Sequence, residues 1–129
     1  HFDVDMYFIS PQELQLPREV LHHVKPGKVK TETSDLSEVA GQLDFVYATR
    51  IQKERFLFQE EYAKLSASYQ LGNGFLKQAK PTVKIMHPLP RVGELKHELD
   101  ETNNALYFQQ AHNGIPVRMA LLSLLFGNS

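Results

Sequence analysis

The sequence predicts an α/β fold in which helices cover both faces of a parallel sheet. Three short apolar segments, at residues 6–9, 44–48 and 83–86, are typical of buried strands. Stretches of helical composition separate them, and strands that alternate with helices favour a parallel sheet. We therefore expect a doubly wound, Rossmann-like arrangement. Such sheets usually contain more strands, so we expect the first strand to lie outside these 129 residues.

The N-terminal third of the chain carries signals for a helix, an edge strand and a second short helix. Ser10 is a good N-cap, a proline follows it, and Glu13 completes a capping box. These signals predict a helix over residues 10–23. A weak edge strand is expected at residues 29–33, and Ser34 is expected to cap a short helix after it.

The remainder of the chain is predicted to be mainly helical outside its two strands. Residues 52–69 have helical composition, with a loop expected at 56–58 where three apolar residues interrupt the polar pattern. Two further helices are predicted at 106–110 and 115–126, separated by the Asn-Gly pair at 113–114. The last of these is apolar nearly all round, so we expect it to pack between layers or against another domain.

Composition narrows the possible functions. The chain has 129 residues, enough for one domain, and a formal net charge of -1, which gives no electrostatic case for binding nucleic acid. No apolar run reaches the roughly 20 residues that span a bilayer, so no membrane partner is expected. Cysteine is absent, which excludes disulfides, thiolate metal sites and cysteine nucleophiles, and fits a cytoplasmic protein. The chain begins with His1 rather than methionine, so we expect it to come from a longer protein.

The most informative segment is the HPLPR sequence at residues 87–91, directly after the third predicted strand. Two prolines in three residues exclude both helix and sheet hydrogen bonding. The chain is therefore expected to form a rigid turn at the carboxyl end of a strand, where open α/β sheets bind ligands. Such a turn presents backbone carbonyl groups to whatever is bound there.

A second arginine-bearing turn is predicted after the strand at residues 44–48. That strand runs into the polar sequence TRIQKER, which contains Arg50. A guanidinium group suits carboxylates and phosphates because its planar fork donates two parallel hydrogen bonds. Two such turns on one sheet indicate a pocket for an anionic small molecule.

Three sequence segments resemble the carbamoyltransferase family, in particular aspartate carbamoyltransferase. Residues 47–55 (YATRIQKER) resemble the signature of its aspartate domain, and residues 87–91 (HPLPR) resemble its second signature. Residues 107–122 resemble its C-terminal helix. The sister family, ornithine carbamoyltransferase, typically has cysteine after the histidine of the second signature and a Ser-Met-Gly loop, neither of which occurs here.

The resemblance implies transfer of a carbamoyl group from carbamoyl phosphate to L-aspartate in pyrimidine biosynthesis, with no metal and no organic cofactor. It implies that residues 1–129 are most of an L-aspartate-binding domain. The carbamoyl-phosphate domain would be N-terminal to it and absent from this chain. The enzyme would be a cytoplasmic homotrimer, in some cases with regulatory or fused partners from the same pathway. No catalytic group is assigned within the chain, and the chain alone is expected to be inactive.

The resemblance also assigns substrate contacts. Arg50 would bind a carboxylate of aspartate, and Gln52 would orient the substrate through hydrogen bonds. The backbone carbonyl groups of Leu89 and Pro90 would contact the carbamoyl group or the reacting amine. The Leu89–Pro90 peptide bond is expected to be cis, as in the family, so that the Leu89 carbonyl is aimed into the cleft. Glu54 would hold the Arg50 side chain in place without contacting the substrate itself.

Other residues are assigned supporting positions. Arg55 belongs to a segment that closes over substrate in this family, and His87 is expected to shape the proline turn. Arg91 and Lys53 are expected to be structural ion-pair partners. Gly93 stands where many relatives carry an acidic residue that pairs with the arginine matching Arg55, so that pairing is not expected from this sequence.

Two alternatives remain open. The chain could be a non-catalytic, carbamoyltransferase-like interaction domain, or a paralogue that acts on another amino acid, although the intact arginine-glutamine motif disfavours the latter. The acidic pairs at residues 60–61 and 100–101 are interpreted as solvated faces, because no converging metal ligands accompany them.

Overall fold

The computed structural model describes residues 3–53 and 56–127, and the chain divides into two compact units, residues 1–42 and 43–129. Parallel strands and helices confirm the predicted α/β class. The described strands form two parallel pairs, one in each unit, whereas the sequence predicted a single sheet. Glu54 and Arg55, two of the predicted site residues, lie outside the described part of the chain.

The first unit contains strands β1 (Met6–Ile9) and β2 (Val29–Thr33), which pair in parallel. The predicted edge strand is therefore confirmed. The helix predicted over residues 10–23 is wrong: the structure has a 3₁₀ turn at Gln12–Leu14 and a single turn of α-helix, α1, at Arg18–Leu21. Pro17 explains the break, because it cannot donate a backbone hydrogen bond and it disfavours the α conformation of the residue before it.

The end of the first unit is a pair of 3₁₀ turns, Leu36–Glu38 and Ala40–Gln42. The residue that caps the first of these turns is Asp35 and not Ser34 as predicted. An oxygen of the Asp35 carboxylate accepts hydrogen bonds from the backbone N–H of Ser37 at 2.8 Å and from its hydroxyl at 2.7 Å. The Asp35 carboxylate, one position after Ser34, thus accepts the backbone N–H at the start of the turn that has no partner within the turn.

The second unit is built on strands β3 (Phe45–Tyr47) and β4 (Lys84–Met86), which pair in parallel with Tyr47 opposite Met86. Both strands were predicted. Ile85 in the centre of β4 is fully buried, and its backbone bonds the segment on its other side through Asn104 and Leu106. The core of this unit includes the buried side chains of Leu71, Phe75, Val83, Leu95, Leu99 and Tyr107.

Two helices lie between the strands of this unit. Helix α2 spans Gln59–Ser68, so the loop predicted at residues 56–58 is confirmed. The helical structure predicted from Gln52 is wrong, because Gln52 and Lys53 are not α-helical and the helix begins only after the loop. The short helix α3 spans Asn73–Leu76, and its first backbone N–H donates to the Glu98 carboxylate at 2.6 Å.

The C-terminal segment is one continuous helix, α4 (Tyr107–Phe126), where the sequence predicted two. Gly114 lies within it, and the guanidinium of Arg118 occupies the space that a Cβ atom of residue 114 would need. Pro116 removes one backbone hydrogen bond, and the good helix formers that follow it continue the helix. Within the described residues, no helix is both long and apolar enough to cross a membrane.

Candidate functional site

The carboxyl ends of β3 and β4 lie side by side. The strands run parallel, and the N–H of Ala48 donates to the carbonyl of Met86 at 2.9 Å, which extends the pairing by one residue. The loop that contains Arg50 and the turn that contains Leu89 therefore start from the same edge of this strand pair. Ligands of open α/β sheets bind at this edge, and both arginine-bearing turns predicted from the sequence are found there.

The proline turn is shaped by a buried histidine. His87 is 1% exposed, and its backbone N–H donates to the side-chain carbonyl of Gln110 at 2.9 Å. Its Nδ1 accepts a hydrogen bond from the backbone N–H of Leu89 at 2.9 Å. Leu89 has a φ of +50° and precedes a cis proline, Pro90. The cis bond was predicted, and the histidine has the turn-shaping position that the sequence suggested.

The conformation of Leu89 costs free energy, on the order of 1–3 kcal/mol for a non-glycine residue held in a sparsely populated region. No hydrogen bond within the described residues uses the backbone carbonyls of Leu89 and Pro90 as acceptors. The turn therefore offers two carbonyl groups at the strand edge. Pro90 is exposed and Leu89 is half-buried.

A carboxylate lies against the other side of the His87 ring. Oε1 of Glu94 is 2.7 Å from Nε2 of His87, although the two are not aligned as an ordinary hydrogen bond. The Glu94 carboxylate also accepts hydrogen bonds from the backbone N–H groups of Gly93 at 2.9 Å and Val92 at 3.1 Å. Burial alone would raise the pKa of Glu94, but these backbone hydrogen bonds and the neighbouring His87 outweigh it, so the pKa is lowered.

The C-terminal end of the turn, at Arg91, is fixed by a second cluster, which consists of Arg91, Asp100 and Tyr107. Arg91 binds the Asp100 carboxylate through both terminal nitrogens of its guanidinium, whose central carbon lies 5.8 Å from the centre of the Tyr107 ring. The Tyr107 hydroxyl donates to the same carboxylate at 2.5 Å. The hydrogen bonds from Arg91 hold the pKa of Asp100 far below its usual range. Burial, followed by the bond to Asp100, raises the pKa of Tyr107 to about 12.

This cluster settles two sequence predictions. Arg91 is a structural ion-pair partner, as expected. Asp100 was interpreted as part of a solvated face, which is wrong: its side chain is only 24% exposed and it bonds two partners. Its neighbour Glu101 is exposed, as are Glu60 and Glu61. Carboxylates that are adjacent in sequence can thus have opposite environments.

A cavity of about 590 Å³ lies beside the two turns. Its wall contains two cationic residues, Arg50 and Lys53, together with Ile51, Tyr62 and Val92. The loop after β3, helix α2 and the segment after the proline turn therefore meet around one space. Lys53, which was expected to be an ion-pair partner, is part of this wall.

The predicted site residues do not all line this cavity. Arg50 does, whereas Gln52 is exposed on the same loop, and Leu89 and Pro90 lie on the adjoining turn outside the wall. Two residues that the sequence interpretation did not assign, Glu94 and Gln110, support the turn directly. Gln110 also donates a long hydrogen bond of 3.4 Å to the Tyr47 hydroxyl at the end of β3. No spacing rule links Gln110 to residues 87–91, because its contact with His87 is made across the fold, whereas Glu94 lies close in sequence and is brought to the ring by the turn itself.

Known proteins resemble this chain along nearly all of its length. The family model described as "Aspartate/ornithine carbamoyltransferase, Asp/Orn binding domain" matches residues 1–125. The aspartate carbamoyltransferase catalytic subunit of Thermococcus kodakarensis is 50% identical over 127 residues. That alignment covers 98% of this chain and 41% of the relative, so the chain spans less than half of the relative's length.

Solved structures agree. The catalytic subunit of M. jannaschii aspartate transcarbamoylase superposes with a TM-score of 0.83 at 40% identity, over 98% of this chain and 42% of that protein. Aspartate transcarbamoylase from Trypanosoma cruzi, in complex with carbamoyl aspartate and phosphate, superposes with a TM-score of 0.75 at 33% identity, over 90% of this chain and 38% of that protein. From its sequence and its structure, this chain belongs to the Asp/Orn-binding domain family of the aspartate/ornithine carbamoyltransferases.

Proposed function

We propose that this chain is the L-aspartate-binding part of an aspartate carbamoyltransferase. The observation that carries the proposal is the placement of Arg50 on a cavity wall beside the turn at residues 87–91, at the shared carboxyl edge of two parallel strands. The relatives named aspartate carbamoyltransferase catalytic subunit support the same assignment.

The charge of the cavity favours aspartate over ornithine as the amino-acid substrate. Arg50 and Lys53 bring two cations to one wall. A dicarboxylate is attracted to such a wall, whereas the side-chain ammonium of ornithine would be repelled by it. Arg50 can bind one carboxylate in a bidentate manner, and Gln52 on the same loop can complete the orientation of the substrate.

The proline turn provides the second half of the binding site. Carbonyl oxygens accept hydrogen bonds, and both the amide of a carbamoyl group and the amine of aspartate carry N–H donors. The carbonyls of Leu89 and Pro90 are thus suited to position these groups. In the proposed reaction, the neutral amine of aspartate attacks the carbamoyl carbon and a C–N bond forms. The C–O bond to phosphate then breaks, and the amine proton leaves to phosphate or solvent.

The remaining parts of the site would come from elsewhere in the protein. Groups that bind the phosphate and stabilise the developing charge are expected in the carbamoyl-phosphate domain. Helix α4 has a suitable surface for contact with another part of the protein, since Leu124, Leu125 and Phe126 are each more than three-quarters exposed. We place the chain in a cytoplasmic homotrimer, with carbamoyl phosphate and aspartate as substrates.

Substitution of Arg50 tests the proposal in the native full-length protein. Arg50→Ala should lower kcat/KM for aspartate by about 10- to 100-fold, because a charge-assisted contact is worth about 1.5–3 kcal/mol. The KM for carbamoyl phosphate should change little. Arg50→Lys keeps the charge but not the fork and should restore only part of the loss. Arg18→Ala, which removes an exposed arginine of the first unit, is the matched control.

Two outcomes would contradict the assignment. An unchanged kcat/KM for aspartate in Arg50→Ala would remove Arg50 from the substrate site. A wild-type protein that forms no carbamoyl aspartate would instead favour a non-catalytic interaction domain.

The 129 residues by themselves should have no carbamoyltransferase activity, because none of the residues assigned here binds the phosphate leaving group. The measurement is carbamoyl aspartate formation by the purified chain, alone and mixed with a separately produced N-terminal domain. Activity that returns only on mixing supports the division of the site. Turnover by the chain alone would overturn it.

A further inference from the structure

We propose that Glu94 and His87 form a positioning pair in which Glu94 sets the tautomer of the His87 ring and thereby fixes the Leu89 turn for the transfer reaction. The inference rests on the proposed function for its kinetic consequences. The geometry on which it is built does not depend on that function. Neither residue is a catalytic residue in this scheme, because both act through the backbone of Leu89.

The first step of the argument is the tautomer of His87. Nδ1 accepts the N–H of Leu89 at 2.9 Å, so Nδ1 carries no proton. The ring proton is therefore on Nε2, which is buried and lies 2.7 Å from a Glu94 oxygen. A carboxylate beside Nε2 stabilises this tautomer, since it favours an N–H at that nitrogen and disfavours a bare lone pair.

The second step is the strain in the turn. Leu89 adopts a φ of +50°, and its N–H is held by the ring of the residue two positions earlier. This is the bond that an Asn or Asp side chain makes in an Asx turn, with an imidazole nitrogen as the acceptor. If Nδ1 carried the proton, two N–H groups would face each other and the bond would be lost. The backbone conformation of Leu89, and with it the position of the Leu89 carbonyl, would then lose this support.

The third step is the anchorage of Glu94. Its carboxylate accepts the backbone N–H groups of Val92 and Gly93, and its backbone carbonyl accepts the N–H of Leu71 at 2.8 Å. Its side chain is 11% exposed. Because Glu94 is fixed on both its main chain and its side chain, it can fix the ring that it contacts.

Substitutions at both positions separate this role from a general structural role. His87→Asn keeps an acceptor for the Leu89 N–H in Asx-turn geometry, whereas His87→Gln extends towards Glu94 and loses that acceptor. In the native full-length protein, His87→Gln should lower kcat by roughly 10- to 100-fold. His87→Asn should stay within about tenfold of wild type. The KM for aspartate should change by less than kcat in both, because Arg50 is not part of this network.

Glu94→Gln is the complementary change. Its amide keeps an acceptor for the backbone N–H groups but can donate to Nε2, which favours the Nδ1–H tautomer. Imidazole ¹⁵N NMR of the same protein should show His87 as the Nε2–H form in wild type and an increased Nδ1–H population in Glu94→Gln. The kcat of Glu94→Gln should fall together with that shift. This spectroscopic readout requires no activity, so it remains informative even if the proposed function fails.

The outcomes discriminate clearly. A wild-type His87 found as the Nδ1–H form would overturn the proposal directly. Equal kcat values for His87→Asn and His87→Gln would show that the acceptor for Leu89 has no role in the reaction. A protein without carbamoyltransferase activity, but with the expected tautomers, would refute the proposed function and leave the positioning pair intact.

Discussion

The two turns at the carboxyl edge of the β3–β4 pair are built in opposite ways. The loop after β3 is largely exposed, and its charged residues Arg50 and Lys53 line an open cavity. The turn after β4 is held from several sides, with a fully buried His87, a strained Leu89 and an arginine bound by a carboxylate. One edge thus combines an open, charged loop with a turn whose conformation is already set.

The difference fits the demands that the proposed reaction would make on the two turns. Carboxylates carry full charges, and a long arginine side chain can bind them over a range of positions. Reacting groups need near-contact geometry, since a misplacement of about 1 Å can cost two orders of magnitude in rate. The rigid part of the site is accordingly the part that would contact the reacting atoms.

The largest difference between the two turns is expected in stability. Asp100→Ala should lower the free energy of unfolding by about 2–4 kcal/mol, because it leaves Arg91 and the Tyr107 hydroxyl without their common partner. Arg50→Ala should change it by less than about 1 kcal/mol, since Arg50 is exposed and interactions of exposed charges contribute little to stability. Urea unfolding of both variants measures this. If the two variants unfolded at the same urea concentration, the contrast between the turns would be wrong.

The sequence predicted the structural elements that carry the two turns better than it predicted the contacts that hold them. Strands β3 and β4 and the cis bond at Pro90 follow from local sequence and from the family resemblance, and all were predicted. The helix expected over residues 10–23 was not found, because Pro17 overrides an otherwise good capping box. Local signals identify most elements, but a single proline can end a helix that the other signals favour.

The supports of the site could not be predicted because they are contacts across the fold. Gln110 bonds the backbone of His87 over 23 positions, and no spacing rule indicates it. Asp100 resembles its exposed neighbour Glu101 in sequence, and only the fold brings it to Arg91. The short 3₁₀ turn at His97–Leu99 ends directly before Asp100 and directs its side chain towards Arg91. The sequence gives no sign of this direction.

The Arg91–Asp100–Tyr107 cluster should also give the turn a pH dependence that the Arg50 loop lacks. Asp100 has a lowered pKa in the folded state, so its contribution is complete above about pH 4 and is lost as the pH falls further. Tyr107 has a pKa raised to about 12, so its contribution is present below about pH 10 and is lost as the pH rises towards 12. Stability measured from pH 2 to 12 should fall at both extremes.

Two variants assign these losses. Asp100→Asn should be less stable at neutral pH and should show a shallower decline in acid. Tyr107→Phe keeps the ring beside Arg91 and should remove part of the alkaline loss. Acid and alkaline profiles identical to wild type in both variants would show that the cluster does not couple stability to pH.

The smallest effects are expected from glycines at the edge of the turn. Gly93 does not have a positive φ, and among the described residues a Cβ atom there would approach only Gln70, at 4.0 Å. Gly93→Ala should therefore leave the free energy of unfolding unchanged or raise it by up to about 1 kcal/mol, because it restricts the unfolded chain.

Gly72 is the matched control: a Cβ atom there would lie 2.5 Å from the Glu98 carboxylate that caps α3 through Asn73. Gly72→Ala should cost about 1 kcal/mol. If Gly93→Ala were as destabilising as Gly72→Ala in urea unfolding, Gly93 would belong to the rigid part of the turn.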